Sequence, residues 1–537
     1  MKSIFLKKIL VMSAILGIQG FFLYAFYINE GLIFNFKTSY LTKVYLPSYI
    51  QSLNNLKLKT GNYLVSVASV FNFNTVYSEN IFSGDSQYAK SIPVLLYHGI
   101  IENADGSNIL LEDFKDQMFA LKKAGWETIT LDDFYAFMRD KKELPDKSFL
   151  LTFDDGRKDS YYPVDPILNA LDYNAVIFVI TKYSLEDKSG NFYLSKKELK
   201  QMAKSGRWEI EAHTREGHDI YKISQDGKQG HYYSNKLWLD DKNRLETEEE
   251  FVNRIKSDFI SAKSDIEQGL GVEVISFAFP FGDFGQDSVN FPEAEPIISD
   301  LAKSIYSTAF YQVWPGKDFS FNYPKENQFL IKRIEVRSYW SSDNLLKVLD
   351  TAKAKSLPYF DNFGDYNGWV KKWGRILFDD NGLKIMSLED STGAVTILEG
   401  SYDWSNYLFN SKIYFNKGET FSILGRFLND DNFVACVFSN KSIKIEQVLN
   451  GNKKIIAEQQ GDFQLIGGVY NAGIALKGGA VNCYLDNYLD NEITITSLGS
   501  YNLDPLLDFG GIGFKIWDPQ FNNSEMIIKE VSIKEIK

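Results

Sequence analysis

Cysteine and histidine are scarce in this chain of 537 residues. Two cysteines, Cys436 and Cys483, cannot build a disulfide framework and form no CxxC zinc site. They leave two arrangements open: one bridge in an oxidising compartment, or two unpaired core thiols. The four histidines, His98, His213, His218 and His231, all lie in the central part of the chain, which confines imidazole chemistry to that region. Basic charge is also short. With 58 Lys and Arg against 70 Asp and Glu, the net charge is −12. This argues against a sequence-independent nucleic-acid binder, which needs a basic footprint. Aromatic residues are plentiful instead, at 15% of the chain with 41 Phe and 31 Tyr. They suffice for large cores and for rings offered to sugars.

One apolar run stands out. Lys2, Lys7 and Lys8 precede an uncharged stretch from Ile9 to Ile28. A helix of about 20 residues rises about 30 Å, enough to cross a bilayer core. No A-x-A site follows Gly17-Ile18-Gln19-Gly20, so an uncleaved signal anchor is preferred to a cleaved leader. The lysines hold the short tail in the cytoplasm. The expected protein is a single-pass cell-membrane protein with everything after residue 30 extracytoplasmic. Residues 1–30 are the tail and transmembrane anchor. Residues 31–90 are a connector with a candidate helix near Tyr49–Leu56.

Residues 91–358 alternate apolar strands with helices. Strands are expected at Pro93–Leu96, Ser148–Phe153, Ala175–Ile180, Trp208–Ala212, Ile275–Phe279, Ser307–Phe310 and Phe329–Val336. Helices are expected at Phe114–Lys123, Val164–Leu171, Ser195–Ser205, Glu248–Gly269 and Asp343–Lys355. That alternation predicts parallel strands with helices outside, a distorted (β/α) barrel. Residues 359–537 carry short alternating strands and Gly/Asn/Asp turns, which predict an all-β sandwich. Its Trp369, Trp373, Trp404 and Trp517 are read first as core residues and second as sugar-stacking rings.

Four expected strands end in residues that draw attention. Thr152-Phe153-Asp154-Asp155-Gly156 puts two acids directly after a buried strand; Asp-Gly alone is only a turn signal. His213-Thr214-Arg215-Glu216-Gly217-His218 carries two imidazoles five residues apart. A helix would separate these rings, so joint metal ligation needs a loop that curls back, eased by Gly217. Two histidines and one carboxylate leave open positions on a metal for water and substrate. Phe277-Ala278-Phe279-Pro280-Phe281-Gly282 has no titratable side chain, but its turn can aim the Phe281 N–H at an oxyanion. Pro93-Val94-Leu95-Leu96-Tyr97-His98-Gly99 ends a fourth strand in His98.

Together these motifs resemble the polysaccharide deacetylase family of carbohydrate esterases over about residues 91–355. The histidine spacing of five and the insertion with Arg244-Leu245-Glu246-Thr247 are similar to its poly-N-acetylglucosamine deacetylase branch. The resemblance implies Asp155, His213 and His218 as metal ligands, zinc first, with iron, cobalt or nickel compatible. It implies Asp154 as general base on a metal-activated water, and Phe281 as the oxyanion donor. Two departures stand out: Ala278 occupies the place of a family arginine that tunes the base, and no histidine follows His231. The proton donor is then His98, or Asp154 returning what it took. The expected function is removal of N-acetyl groups from an N-acetylglucosamine-containing polysaccharide at the cell envelope. The alternatives are a catalytically silent envelope-anchored polysaccharide binder and a glycoside hydrolase. Because every candidate residue precedes position 356, deleting the sandwich is expected to spare activity on short oligomers.

Overall fold

The structure, a computed structural model, describes residues 88–537 except 187–191, 328, 365–367, 390, 488–493 and 521–522. Eight parallel strands form the first sheet: β1 (Val94–Tyr97), β2 (Glu127–Thr128), β3 (Ser148–Phe153), β4 (Ala175–Ile180), β5 (Trp208–Thr214), β6 (Ser276–Ala278), β7 (Thr308–Val313) and β8 (Leu330–Glu335). The order β1-β8-β7-β6-β5-β4-β3 closes on itself, because β1 pairs with both β8 and β3. Short β2 pairs only with Ser148 and Phe149 at the start of β3. The result is a closed seven-stranded parallel barrel with one short extra strand.

Strands such as Ser148–Phe153 and Ala175–Ile180 are buried along their whole length. Both faces need apolar side chains, since one lines the barrel and the other meets the helices. Val94, Leu150, Val176, Phe178, Ala278, Phe310 and Ile331 share the inner core. Their sequence neighbours Leu95, Leu151, Ile177, Val179, Phe277 and Ala309 belong to the outer core with the helices. This period of two decides which polar residues enter the barrel.

The helices are α1 (Leu111–Lys123), α2 (Leu131–Met138), α3 (Asp165–Leu171), α4 (Thr181–Leu185), α5 (Lys196–Lys204), α6 (Glu248–Leu270), α7 (Ala294–Lys303) and α8 (Ser342–Ala352). Capping boxes start α5 at Ser195 with Glu198, and α6 at Thr247 with Glu250. Sequence reasoning passes over α2, α4 and α7. Among the described residues no helix is long and apolar enough to cross a membrane. The anchor over Ile9–Ile28 and the helix near Tyr49–Leu56 lie outside the described residues.

Antiparallel strands follow the barrel in two sheets of eight and seven, among the described residues. Both sheets contribute to one apolar core that includes Ile413, Phe421, Cys436, Ile474, Cys483 and Phe514. Cys436 and Cys483 are bridged, with Cα atoms 5.6 Å apart. Of the two arrangements left open by the sequence, the bridge is the one observed, and it ties a strand of one sheet to a strand of the other. Trp369 and Trp404 are buried in this core, which removes them as sugar platforms. Trp517 is 37% exposed, with Lys515 over its ring.

The barrel and the seven-stranded sheet also share a core. Phe319, Phe321 and Tyr323 of the barrel pack in the cluster that holds Val370, Ile397, Tyr402 and Phe427. Tyr402 lies 5.1 Å from Phe319 and 4.9 Å from Tyr323, ring to ring. Buried Glu399 accepts hydrogen bonds from the Ser320 N–H and Oγ at 2.8–3.2 Å.

Candidate metal centre

Leu150 and Thr152 alternate with outward neighbours on β3, and Asp154 continues their inward parity. An extended chain would turn the next side chain away. Instead Asp155 takes φ +71° and Gly156 φ +69°, a left-handed bend that brings both acids to the mouth. Asp and Gly tolerate that conformation better than bulkier residues.

On β5 the outward row is Trp208, Ile210 and Ala212, so Glu211 and His213 face inward. The strand runs to Thr214, two residues beyond the expected end, and His213 sits on it rather than after it. The His213 Nδ1 lies 2.7 Å from the Ala278 carbonyl oxygen, which leaves Nε2 for the centre. Residues 214–218 then curl back as the spacing requires. The organiser is Asp258 of α6, which accepts from Thr214 Oγ1 (2.7 Å), Arg215 N (3.2 Å) and Glu216 N (2.8 Å). Gly217 is needed for space: a Cβ there would lie 2.6 Å from Tyr233. Sequence reasoning misses Asp258.

The ligand atoms of Asp155, His213 and His218 lie within 4.8 Å of one another. Asp155 Oδ1 is 3.1 Å from His218 Nε2 and 3.7 Å from His213 Nε2. Donors each about 2.0–2.2 Å from one tetrahedral ion stand roughly 3.3–3.6 Å apart. Asp155 Oδ1 is also a buried oxygen without a hydrogen-bond partner. Spacing, donor chemistry and the unsatisfied oxygen all fit a divalent ion.

Asp154 has a different setting. Arg333 of β8 grips it with two hydrogen bonds of 2.6 and 2.7 Å, and neither side chain is exposed. Burial opposes the Asp154 charge, but the Arg333 charge and His213 more than offset it and hold the carboxyl below its ordinary range. Burial likewise works against Asp155, and contact with His218 and the charges of the three nearby histidines hold it well below that range. Burial drives His213 down to about 4, the neutral form a ligand requires. Ala278 does stand where the family arginine is expected, and the guanidinium arrives from another strand. A signal for Arg333 was present: arginine inside a buried strand implies a buried acid opposite.

His98 follows β1 directly and is half-buried; its carbonyl accepts from Ser160 Oγ at 2.9 Å. Its side chain is near enough to act electrostatically on both aspartates. Phe281 follows β6 with φ +61°. Its ring packs against both His218 (4.8 Å) and His231 (4.5 Å). Sequence reasoning assigns His231 no place, yet it reaches this site on the hairpin of Ile220–Lys222 and Gln229–His231.

Residues 141–293 match the sequence model of the polysaccharide deacetylase family. The poly-β-1,6-N-acetyl-D-glucosamine N-deacetylase of Escherichia coli K12 is 26% identical over 180 residues, covering 32% of this chain and 27% of that protein. The protein of the same name from Staphylococcus aureus strain MSSA476 is 35% identical over 116 residues, covering 21% and 39%. The chain thus matches between about a quarter and two fifths of the length of these relatives. A solved de-N-acetylase from Aggregatibacter actinomycetemcomitans aligns with 48% of this chain and 99% of its own, at 20% identity and a TM-score of 0.41. Motifs, family match and relatives agree: the barrel of this chain carries a polysaccharide deacetylase domain.

Proposed function

We propose that the barrel hydrolyses N-acetyl groups from an N-acetylhexosamine polymer at the cell envelope. The single observation that carries this reading is the Asp155–His213–His218 cluster beside an Asp154 held ionised by Arg333. Asp155, His213 and His218 are the proposed holders of a divalent ion, zinc by preference. Such an ion, when bound, supplies Lewis-acid polarisation of the acetyl carbonyl and eases ionisation of water. Water adds to the amide carbonyl carbon, the C–N bond breaks, and acetate and a free sugar amine result. Asp154 accepts the proton from water. The Phe281 N–H donates to the developing oxyanion. His98, or Asp154 giving back its proton, protonates the departing amine.

The names of the curated relatives make β-1,6-linked poly-N-acetylglucosamine the first substrate to test. An open trough of about 500 Å³, lined by Trp314, Pro315, Arg337, Tyr339 and Trp340, supports a polymer. It lies just beyond the C-terminal ends of β7 and β8, on the face where barrel enzymes work. Envelope location rests on the apolar run of residues 9–28, and protease added to intact cells should then digest the barrel.

Acetate release is the direct test. Purified protein reconstituted with zinc should release acetate from the polymer without shortening it. Shortened chains without acetate would overturn the reading in favour of glycoside hydrolysis.

A further inference from the structure

The two histidines of the centre are held differently. His213 is buried, and its Nδ1 is anchored to the Ala278 carbonyl. His218 sits in the loop after β5 with its side chain 27% exposed, and its ring packs on Phe281 at 4.8 Å. The orientation of this ligand therefore depends on Phe281. Phe281 is itself in an unfavourable state for a bulky residue, with φ +61° and ψ +8°. Something must hold it there.

His231 stacks on the Phe281 ring, 4.5 Å away and only 9° from parallel. Its Nδ1 meets Asp283 Oδ2 at 2.6 Å. Asp283 is buried and also accepts from Ser234 Oγ and from Gly285 N at 3.1 Å. Asp283 stands two residues after Phe281 in the same turn, so the contacts close a ring from Phe281 along the backbone to Asp283, across to His231, and back by stacking.

We infer that His231 is a positioning residue that acts through Phe281 to set the metal ligand His218. The inference rests on the metal reading above. Outer partners of this kind commonly change metal affinity by about 10–100-fold, and here the partner is a ring stack in place of a hydrogen bond.

The test measures zinc affinity of the full chain by competition with a chromophoric chelator, for wild type, His231→Ala, His231→Phe, Phe281→Ala and the His231→Ala/Phe281→Ala pair. His231→Ala is expected to weaken affinity about ten-fold or more. His231→Phe keeps a flat ring over Phe281 and should recover most of that loss. The double variant should be no weaker than Phe281→Ala alone, because His231 acts through that ring. Unchanged affinity in His231→Ala, no recovery in His231→Phe, or additive losses would each overturn the inference while leaving the metal centre intact. A wild-type chain that takes up no zinc, cobalt or iron would overturn the metal reading and this inference together.

Discussion

Asp154 and Asp155 are chain neighbours with unlike work, and the difference lies in what each touches. Asp155 faces two imidazoles, whereas Asp154 faces a guanidinium. Asp155→Asn should therefore lose most bound metal, since a neutral amide replaces the charged donor. Asp154→Asn should keep near-stoichiometric metal and lose acetate release by about 10²–10⁴-fold, the usual size of a general-base contribution. Metal content and rate measured on the same preparations decide it; a metal-free Asp154 variant beside an active, metal-loaded Asp155 variant would reverse the roles. Asp154→Asn also leaves Arg333 facing a neutral group. Breaking a buried pair from one side costs about 3–5 kcal/mol, so a lowered melting temperature should accompany the lost rate. Arg333→Met should show the same instability from the other side of the pair.

Element ends set the geometry of the centre. The bend after β3 turns two successive acids the same way, and the loop after β5 brings His218 back to Asp155. Strand positions were legible because a buried parallel strand is a short unbroken apolar run. The missed helices were harder to see. α2 has eight residues and α4 five, and α7 carries Pro296 in its first turn, where proline is tolerated but reads as a break. In the sandwich, the bridge between Cys436 and Cys483 closes a span of 47 residues between the two sheets. Replacing both cysteines with alanine should lower unfolding free energy by roughly 2–4 kcal/mol, the usual contribution of such a crosslink. Denaturant melts of this variant against the oxidised chain give the difference, and an effect under half a kcal/mol would show that the bridge is incidental.

At the scale of the molecule, the barrel and the sandwich are less separable than the sequence suggests. Phe319 and Tyr323 are at most 1% exposed, and Tyr402 and Phe427 of the second domain pack against them. Removing residues 359–537 would uncover both. At about 1.5–3 kcal/mol for each buried side chain, the loss is roughly 3–6 kcal/mol, a large share of a domain's stability. The truncated barrel is therefore expected to melt far lower or to aggregate, and its activity on oligomers would fail through folding. A soluble, active barrel melting like the full chain would refute this. Glu399 at the same seam adds a pH dependence. Burial, only partly offset by the Ser320 hydrogen bonds and by Lys332 and Lys355, pushes it from 4.5 to about 7. Between these values the folded chain holds a proton that the unfolded chain releases. The stability of the neutral form is full below about 4.5 and is lost as pH rises through about 7. Glu399→Gln should shrink the melting-temperature drop between pH 5 and pH 8 measured by calorimetry.

Local pattern alone was enough for the parallel barrel, the following β domain and the motif residues at the strand ends. Period-two alternation, unbroken apolar runs and turn chemistry are written residue by residue. Local pattern could not say that Arg333 would reach Asp154 across 179 positions, that Asp258 would gather the His213–His218 loop, or that His231 would stack on Phe281. Nor could it choose between a bridge and free thiols, or reveal that the two β-rich parts share a core. Each of these is a contact between residues far apart in the chain, decided by the closure of the barrel and the packing of the sheet against it.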